Sequence, residues 1–177
     1  MIGKESFADK VDFKTGELAN CGSHNKVYLN DIKTLFKDQE EVQKRLDENP
    51  LIYETFYPDI DTNIMYVFYG VTKIHPGTIG REFFMTKGHL HIPEQITEMY
   101  LCLSGRGMLL EQKDNNIKKT VMEPGTITYV GESSFHRTYN IGKEPFIFIV
   151  ACNADFEHDY SLLKDDGFLE IVTVDDL

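Results

Sequence analysis

Short apolar runs separated by turns fill residues 51–152, and this alternation restricts the fold more than any other feature of the chain. The runs are rich in β-branched and aromatic residues, and clusters of glycine, proline, asparagine and serine divide them. The predicted strands are 51–57, 63–74, 82–85, 99–103, 108–111, 118–122, 126–130, 136–139 and 146–152. Strands that recur at such short intervals predict an all-β sandwich or small barrel.

Two short helices are predicted outside this region. Apolar residues recur at helical spacing over residues 32–46, Asn30 or Asp31 can cap the start, and Pro50 follows the end. The second helix is predicted over residues 161–167, where a glycine provides the C-terminal stop. The two helices together cover far fewer residues than the predicted strands, so the fold class stays all-β.

The chain is long enough for one domain with a real core. The chain has 177 residues. We expect an N-terminal arm and helix at 1–50 that pack on a barrel at 51–177. The other segments are predicted to be a short strand at 27–29, a loop at 154–160 and a final strand at 168–174.

Charge and composition exclude several classes of partner. A net charge of −11 repels nucleic acid and anionic membranes, and no apolar run is long enough to span a bilayer. The N-terminus lacks the apolar core of a signal peptide. The three cysteines, Cys21, Cys102 and Cys152, form no CxxC motif and suit a reduced, cytoplasmic protein.

Three histidines and one glutamate are candidate metal ligands. His89 and His91 stand two positions apart, which places both imidazoles on one face of a strand. Glu98 begins the next apolar run, after a break at Pro93, and a hairpin-like return would aim it back at the histidines. His136 starts a later run. Such a ligand set suits Fe, Mn, Ni, Zn or Co and leaves coordination positions open for catalysis. The same His-x-His pattern also occurs on exposed sheet surfaces without a metal.

The candidate ligands lie within two segments that resemble the two motifs of the cupin superfamily. The residues that carry this resemblance are His89, His91, Glu98 and Gly105 in the first motif, and Gly125, Gly131, Ser133, His136 and Asn140 in the second. The chain departs from the motifs at Phe83, Gly131 and Ser133, where cupins usually have glycine, proline and glycine. The resemblance implies a double-stranded β-helix, which is a jelly-roll barrel with a metal inside its mouth.

A closer resemblance is to the cupin-type glucose-6-phosphate isomerase family. It covers nearly the whole chain, and its most distinctive part is the Thr-Lys-Gly-His-x-His sequence at 86–91. Further matching segments are 11–16, 122–126, 136–148 and 158–160. The resemblance implies a metal-dependent isomerase that interconverts glucose 6-phosphate and fructose 6-phosphate, through either an enediolate or a hydride shift between C1 and C2.

The resemblance also implies roles for individual residues. His89, His91, Glu98 and His136 match the ligands of one divalent metal per subunit, for which Fe²⁺ is the first choice and Mn²⁺, Ni²⁺, Zn²⁺ and Co²⁺ are alternatives. The expected catalytic residues are Glu98, which is also the candidate proton shuttle, His136, and Tyr100 near the metal. The expected substrate-binding residues are Tyr53, Thr72, Thr86, Lys87, Gly88 through its N–H, His158 and Tyr160. The family tends to have a tyrosine for the phosphate where this chain has Cys152.

Simpler roles stay open for the substrate-binding residues. The tyrosines could be ordinary half-buried aromatics, the threonines ordinary strand residues and His158 a surface histidine. His24 and His75 are interpreted as structural or exposed.

For the whole chain, the alternatives are another metal-dependent cupin enzyme, such as a dioxygenase or an epimerase, and a non-catalytic sensor that binds a sugar phosphate or a metal. We expect a cytoplasmic homodimer that acts on a small sugar phosphate.

Overall fold

The computed structural model describes residues 7–60, 66–155, 157–164 and 167–177. Strands make up most of its regular structure. In chain order they are β1 Cys21–Tyr28, β2 Leu51–Pro58, β3 Val67–Ile74, β4 Thr78–Ile79, β5 Glu82–Phe83, β6 Leu90–Ile92, β7 Glu98–Ser104, β8 Gly107–Lys113, β9 Asn116–Met122, β10 Ile127–Val130, β11 Phe135–Asn140, β12 Phe146–Asn153 and β13 Glu157–Asp159. The prediction of an all-β fold is confirmed. The start of the predicted strand at 63–74, residue 156 of the predicted loop at 154–160 and residues 165–166 of the predicted helix at 161–167 fall outside the described residues.

The strands form antiparallel sheets. The largest has six strands in the order β1-β2-β3-β12-β7-β10, and a smaller one has the order β11-β8-β9. Two-stranded pairs, β13 with β6 and β4 with β5, complete the set. Because β12 lies between β3 and β7, strands far apart in sequence become neighbours, as in the predicted double-stranded β-helix.

Large apolar side chains fill the space between the sheets. Phe146 and Phe148 on β12 stack with ring centroids 4.8 Å apart, and Phe148 also contacts the ring of Tyr100 at 5.2 Å. All three residues are buried within one continuous cluster. The barrel therefore has a packed apolar core that reaches Tyr100.

The single helix predicted over residues 32–46 is wrong in its extent. The structure has α1 at Leu29–Ile32, a 3₁₀ turn at Lys33–Leu35 and a separate α2 at Gln39–Arg45. Phe36 is extended and buried, and Asp38 caps α2 by accepting a hydrogen bond from Glu41 N at 2.9 Å. Burial of Phe36 pulls the backbone out of the helix, and the cap starts a new one.

The start of the helical region also differs from the prediction. Tyr28 is the N-cap of α1, whereas Asn30 and Asp31 lie inside the helix. The Asp31 carboxylate instead accepts a hydrogen bond from Tyr28 N at 2.8 Å. Asp31 therefore lies inside the helix and accepts from the backbone N–H of the N-cap residue, as in a capping box.

The C-terminal segment was predicted incorrectly in two places. Residues 168–174 form no strand: they make one isolated bridge between Glu82 and Thr173, and a 3₁₀ helix follows at Val174–Asp176. The predicted loop at 154–160 contains β13, which pairs with β6. The predicted second helix is a 3₁₀ helix at Ser161–Lys164. Burial of Phe168 and Val172 in the core anchors the segment without a ladder of hydrogen bonds.

Part of the predicted N-terminal arm belongs to the largest sheet. The strand expected at 27–29 extends over Cys21–Tyr28 and pairs along its length with β2. The division at residue 50 stays a prediction. In the described ranges, no helix is long and apolar enough to cross a membrane.

Candidate metal centre and substrate pocket

The structure brings the four candidate ligands together. His89 precedes β6, His91 lies on β6, Glu98 begins β7 and His136 lies on β11. The ring nitrogens Nε2 of His89 and His91 are 3.0 Å apart, and Glu98 Oε2 lies 3.4 Å from His91 Nε2 and 3.2 Å from His136 Nε2. One ligand atom from each side chain falls within 4.8 Å of all the others. The cluster can therefore hold a metal ion.

Backbone pairing explains why these residues meet. His89 and His136 exchange two backbone hydrogen bonds, of 3.1 and 3.0 Å, so the segment just before β6 is held beside β11. Glu98 pairs in register with Cys152 on β12, in the largest sheet. Because β6 and β7 lie in different sheets, Glu98 approaches the histidines from a neighbouring sheet and not by the hairpin-like return that the sequence indicated.

The protonation of the cluster suits a cation. Burial lowers the pKa of His89 well below its ordinary value, and the neighbouring His136 lowers it further, so His89 is neutral and offers a lone pair. Burial alone would raise the pKa of Glu98, but the adjacent rings of His136 and His91 outweigh it and keep the carboxylate ionised. His136 Nδ1 donates to the Ser134 carbonyl at 2.9 Å, which leaves Nε2 as the lone-pair atom.

Two atoms of the cluster lack a hydrogen-bond partner among the described residues. Glu98 Oε2 and His136 Nε2 are fully buried, and their ion-pair distances lack hydrogen-bond alignment. Buried polar atoms in native proteins nearly always have a partner. Three imidazoles and one carboxylate are a donor set for a divalent transition metal, so the residues present fit such an ion.

All seven predicted substrate-binding residues line one cavity of about 340 Å³ above the cluster. His89, Glu98, His136 and Tyr100 line it as well, while His91 is buried beneath. The lining residues that the sequence did not single out are Thr55, Tyr57, Phe68, Thr138, Phe148 and Val150. Thr55 and Tyr57 share a face of β2 with Tyr53, so strand alternation could have found them.

The cavity offers neutral hydrogen-bond donors. His158 lies against the His89 ring, with centroids 3.8 Å apart, and its Nδ1 is 3.2 Å from the Tyr160 hydroxyl. Burial lowers the pKa of His158 to about 4, so it is uncharged at neutral pH. Burial raises the pKa of Tyr53, so its hydroxyl stays protonated. Burial and the Glu98 charge raise the pKa of Tyr100 well above its ordinary value, so its hydroxyl is protonated as well.

Three further residues discussed from sequence lie outside the cavity lining. Cys152 is buried beside Glu98, and burial raises the pKa of its thiol to about 12, so it stays neutral. His24 and His75 lie 2.7 and 2.9 Å from the two oxygens of the buried Glu54. Both histidines therefore belong to a separate polar cluster at the sheet of β1, β2 and β3.

The fold and the ligand cluster together define a cupin with a metal-binding cavity. The sequence profile of the family described as "Glucose-6-phosphate isomerase (GPI)" matches residues 29–176. The chain belongs to this glucose-6-phosphate isomerase family.

Curated relatives agree with this assignment. The chain is 39% identical to the glucose-6-phosphate isomerase of Thermococcus litoralis over 171 residues, which cover 96% of this chain and 90% of the relative. Identity to the glucose-6-phosphate isomerase of Pyrococcus furiosus is also 39%, with the same coverage of both chains. A "putative glucose-6-phosphate isomerase 1" of Rhizobium meliloti is 28% identical over 94% of this chain and 79% of the relative.

A solved structure supports the fold alone. An oxalate oxidase in complex with glycolate superposes with a TM-score of 0.50 at 14% identity, over 87% of this chain and 61% of that one. At this identity the likeness says nothing about substrate.

Proposed function

We propose that this chain is a metal-dependent aldose–ketose isomerase that interconverts glucose 6-phosphate and fructose 6-phosphate. The observation that carries the proposal is the position of the three-histidine, one-glutamate cluster on the floor of a cavity lined by hydroxyl and N–H donors. The family membership and the names of the relatives supply the reaction. The reaction has a place in glycolysis and gluconeogenesis.

The residues of the chain provide the proton chemistry. Glu98 is ionised and lies at the cavity floor, so it can accept a proton from one carbon of an open-chain sugar and return it to the next. Tyr100 lines the cavity with Glu98 and stays protonated, because burial and the Glu98 charge raise its pKa, so it is a neutral donor near the carboxylate. His89, His91, Glu98 and His136 would hold the cation. When bound, a divalent cation supplies Lewis-acid stabilisation of the negative charge that develops on a sugar oxygen.

The lining of the cavity around Thr86 and Gly88 suits the phosphate. Thr86 and Thr72 present hydroxyls, Gly88 presents a backbone N–H, and Lys87 is a basic residue of the lining. Tyr53, His158 and Tyr160 line the same cavity and offer further donors. Neutral donors orient a phosphate without the strong desolvation cost of a buried cation.

The direct test is metal-dependent turnover. Protein stripped of metal is supplied with Fe²⁺, Mn²⁺, Ni²⁺, Zn²⁺ or Co²⁺ in turn, and glucose 6-phosphate formed from fructose 6-phosphate is followed with a dehydrogenase coupling enzyme. We expect turnover with at least one ion, Fe²⁺ first, and one bound metal per subunit. His91→Ala should lose both bound metal and activity, whereas His24→Ala, which lies in the separate cluster around Glu54, should keep both.

The same preparation separates the alternatives. Oxygen uptake without isomerisation would indicate a dioxygenase. Metal and sugar-phosphate binding without any turnover would favour the sensor. Either result would end the isomerase proposal.

A homodimer in the cytoplasm belongs to the same proposal. The outer face of the largest sheet carries exposed apolar residues: Met99 on β7 lies opposite Tyr129 on β10, and Ile127 lies beside them. A face of this kind on long strands suits contact with a second copy. Sedimentation equilibrium should give a dimer at micromolar concentration that Ile127→Glu weakens; a monomeric wild type would contradict it.

The thiols of all three cysteines are free, as a reducing cytoplasm requires.

A further inference from the structure

Arg137 is a buried cation directly behind the substrate pocket. It follows the candidate ligand His136 on β11, and because side chains alternate along a strand, it points away from the cavity. Only 3% of its surface is exposed. Burial of a charge is costly unless hydrogen bonds satisfy it, so the contacts of this side chain need a reason.

The contacts of Arg137 converge on the segment that carries the phosphate donors. Nη2 donates to the Lys87 carbonyl oxygen at 2.5 Å, and Nη1 lies 3.0 Å from Met85 Sδ. The ring of Phe168 lies 4.3 Å from the guanidinium carbon and covers it from the other side. No carboxylate among the described residues forms an ion pair with Arg137. The backbone carbonyl of Lys87 is therefore its main polar partner.

The Lys87 carbonyl lies in a bulge. Met85 bridges to Tyr139 and His89 bridges to His136, so the segment before β6 contains one more residue than the strand opposite. The bulge is at Lys87 and Gly88, opposite Arg137, and Gly88 has a left-handed φ of +80°. A side-chain carbon at Gly88 would lie 2.8 Å from Phe168 and 3.0 Å from Arg137. The bulge thus presses closely on the side chains behind it.

The hydrogen bond between Arg137 and the Lys87 carbonyl also determines where the Gly88 N–H points. In a trans peptide the C=O and the following N–H point in opposite directions. Because Arg137 binds the Lys87 oxygen from behind, the Gly88 N–H is directed toward the cavity that Gly88 lines. In the part of the chain that the structure describes, no oxygen accepts a hydrogen bond from this N–H. A cation on the carbonyl also polarises the peptide and makes its N–H a stronger donor.

We propose that Arg137 is a positioning residue that aims and polarises the Gly88 N–H for the phosphate group of the substrate. Arg137 does not touch the substrate, and its effect passes through the Lys87–Gly88 peptide. The inference deepens the proposed function, since it assumes that a phosphorylated sugar occupies this end of the cavity.

The test compares Arg137→Met, Arg137→Lys and the control Arg106→Met. Arg106 is an exposed residue that pairs with Glu123 away from the cavity. In Arg137→Met we expect about a tenfold rise in the KM for fructose 6-phosphate and in the inhibition constant of inorganic phosphate, as for one lost charge-assisted hydrogen bond. We expect kcat within about threefold and metal content unchanged. Arg137→Lys should recover part of the phosphate affinity, and Arg106→Met should behave as wild type.

These variants distinguish failure of the Arg137 positioning role from failure of the proposed isomerase function. If wild type isomerises and a folded Arg137→Met keeps its phosphate inhibition constant, the positioning role is wrong and the proposed function stands. If wild type binds phosphate in an Arg137-dependent manner but never isomerises, the proposed function is wrong and the positioning role stands. A fall in kcat or metal content at constant phosphate affinity would overturn the inference by showing a general structural role.

A measurement on wild type covers the case in which Arg137→Met does not fold. Zn²⁺-loaded protein labelled with ¹⁵N-glycine is titrated with inorganic phosphate. The Gly88 amide proton, assigned by triple-resonance spectra, should move downfield as phosphate binds, because the amide donates to an anion. A Gly88 resonance that does not respond while phosphate binding is saturated would overturn the proposal.

Discussion

The hydroxyl of Thr86 bonds to the neighbouring strand and is also a proposed phosphate donor, so its removal should have two separate costs. Thr86 Oγ1 accepts a hydrogen bond from Thr138 N at 3.1 Å and lies 3.3 Å from Thr138 Oγ1. The backbone bond from Thr86 N to Thr138 O, 3.0 Å long, does not depend on the hydroxyl. Thr86→Val keeps the shape of the side chain and that backbone bond, but it leaves the N–H of Thr138 unsatisfied.

The structural cost follows from the burial of Thr138, which is only 1% exposed. A buried donor left without a partner costs about 1–3 kcal/mol of unfolding free energy. For a chain of this length each kcal/mol lowers Tm by about 2–4 °C, so we expect a fall of roughly 2–12 °C in scanning calorimetry. Thr86→Ser keeps the hydroxyl and should lose much less.

The functional cost follows from the phosphate. Loss of one hydrogen bond to a charged group is worth about 1.5–3 kcal/mol, or about a 10- to 150-fold rise in KM, with kcat little changed. Steady-state kinetics on metal-loaded Thr86→Val and Thr86→Ser measure this. A normal KM in Thr86→Val would show that the hydroxyl does not contact the phosphate, and a normal Tm would refute the structural half of the reasoning.

Two further predictions concern polar groups outside the cavity. Asn140 is fully buried and makes three backbone hydrogen bonds of 2.8–2.9 Å, so Asn140→Leu should lose about 3 kcal/mol of unfolding free energy in denaturant titrations, and a loss below about 1 kcal/mol would contradict this. For Glu54, burial would raise the carboxyl pKa, but His75, His24 and Lys73 outweigh it and lower the pKa from 4.5 to about 2. Its stabilisation is therefore present above about pH 4.5 and lost as the pH falls toward 2. The unfolding free energy of Glu54→Gln should decline less steeply than that of wild type over this range; equal slopes would count against the prediction.

Apolar runs between turns made most of the fold predictable from sequence. Most of the strands from Leu51 to Asn153 were found within a few residues because each is a run rich in β-branched or aromatic residues that ends at a turn, whereas the two-residue β4 was missed. The C-terminal segment was less predictable, since Phe168 and Val172 are anchored by burial and not by a repeating ladder. β13 was missed because its three residues pair only with the short β6 and carry no apolar pattern.

The candidate site was predictable in its residue types but not in its construction. The spacing of His89 and His91 placed them on one face, yet no spacing rule showed that Glu98 arrives from a different sheet. The side chains packed behind the cavity wall could not be identified from the sequence. The structure places Arg137 behind the cavity wall, bound to the Lys87 carbonyl. Such a role depends on contacts between distant segments, which a local pattern does not encode.

The extra residue between the two bridges to β11 determines which side chains on either side of the bulge face the cavity. Thr86 and His89 are an odd number of positions apart, so on a regular strand one would face the interior and the other the exterior. With the bulge, both line the cavity. Deletion of a single residue here would therefore turn either the phosphate donors or the imidazoles outward, even though every ligand remained in the sequence. Insertions and deletions should be tolerated in the exposed turn near Asp114 and excluded between Met85 and His89.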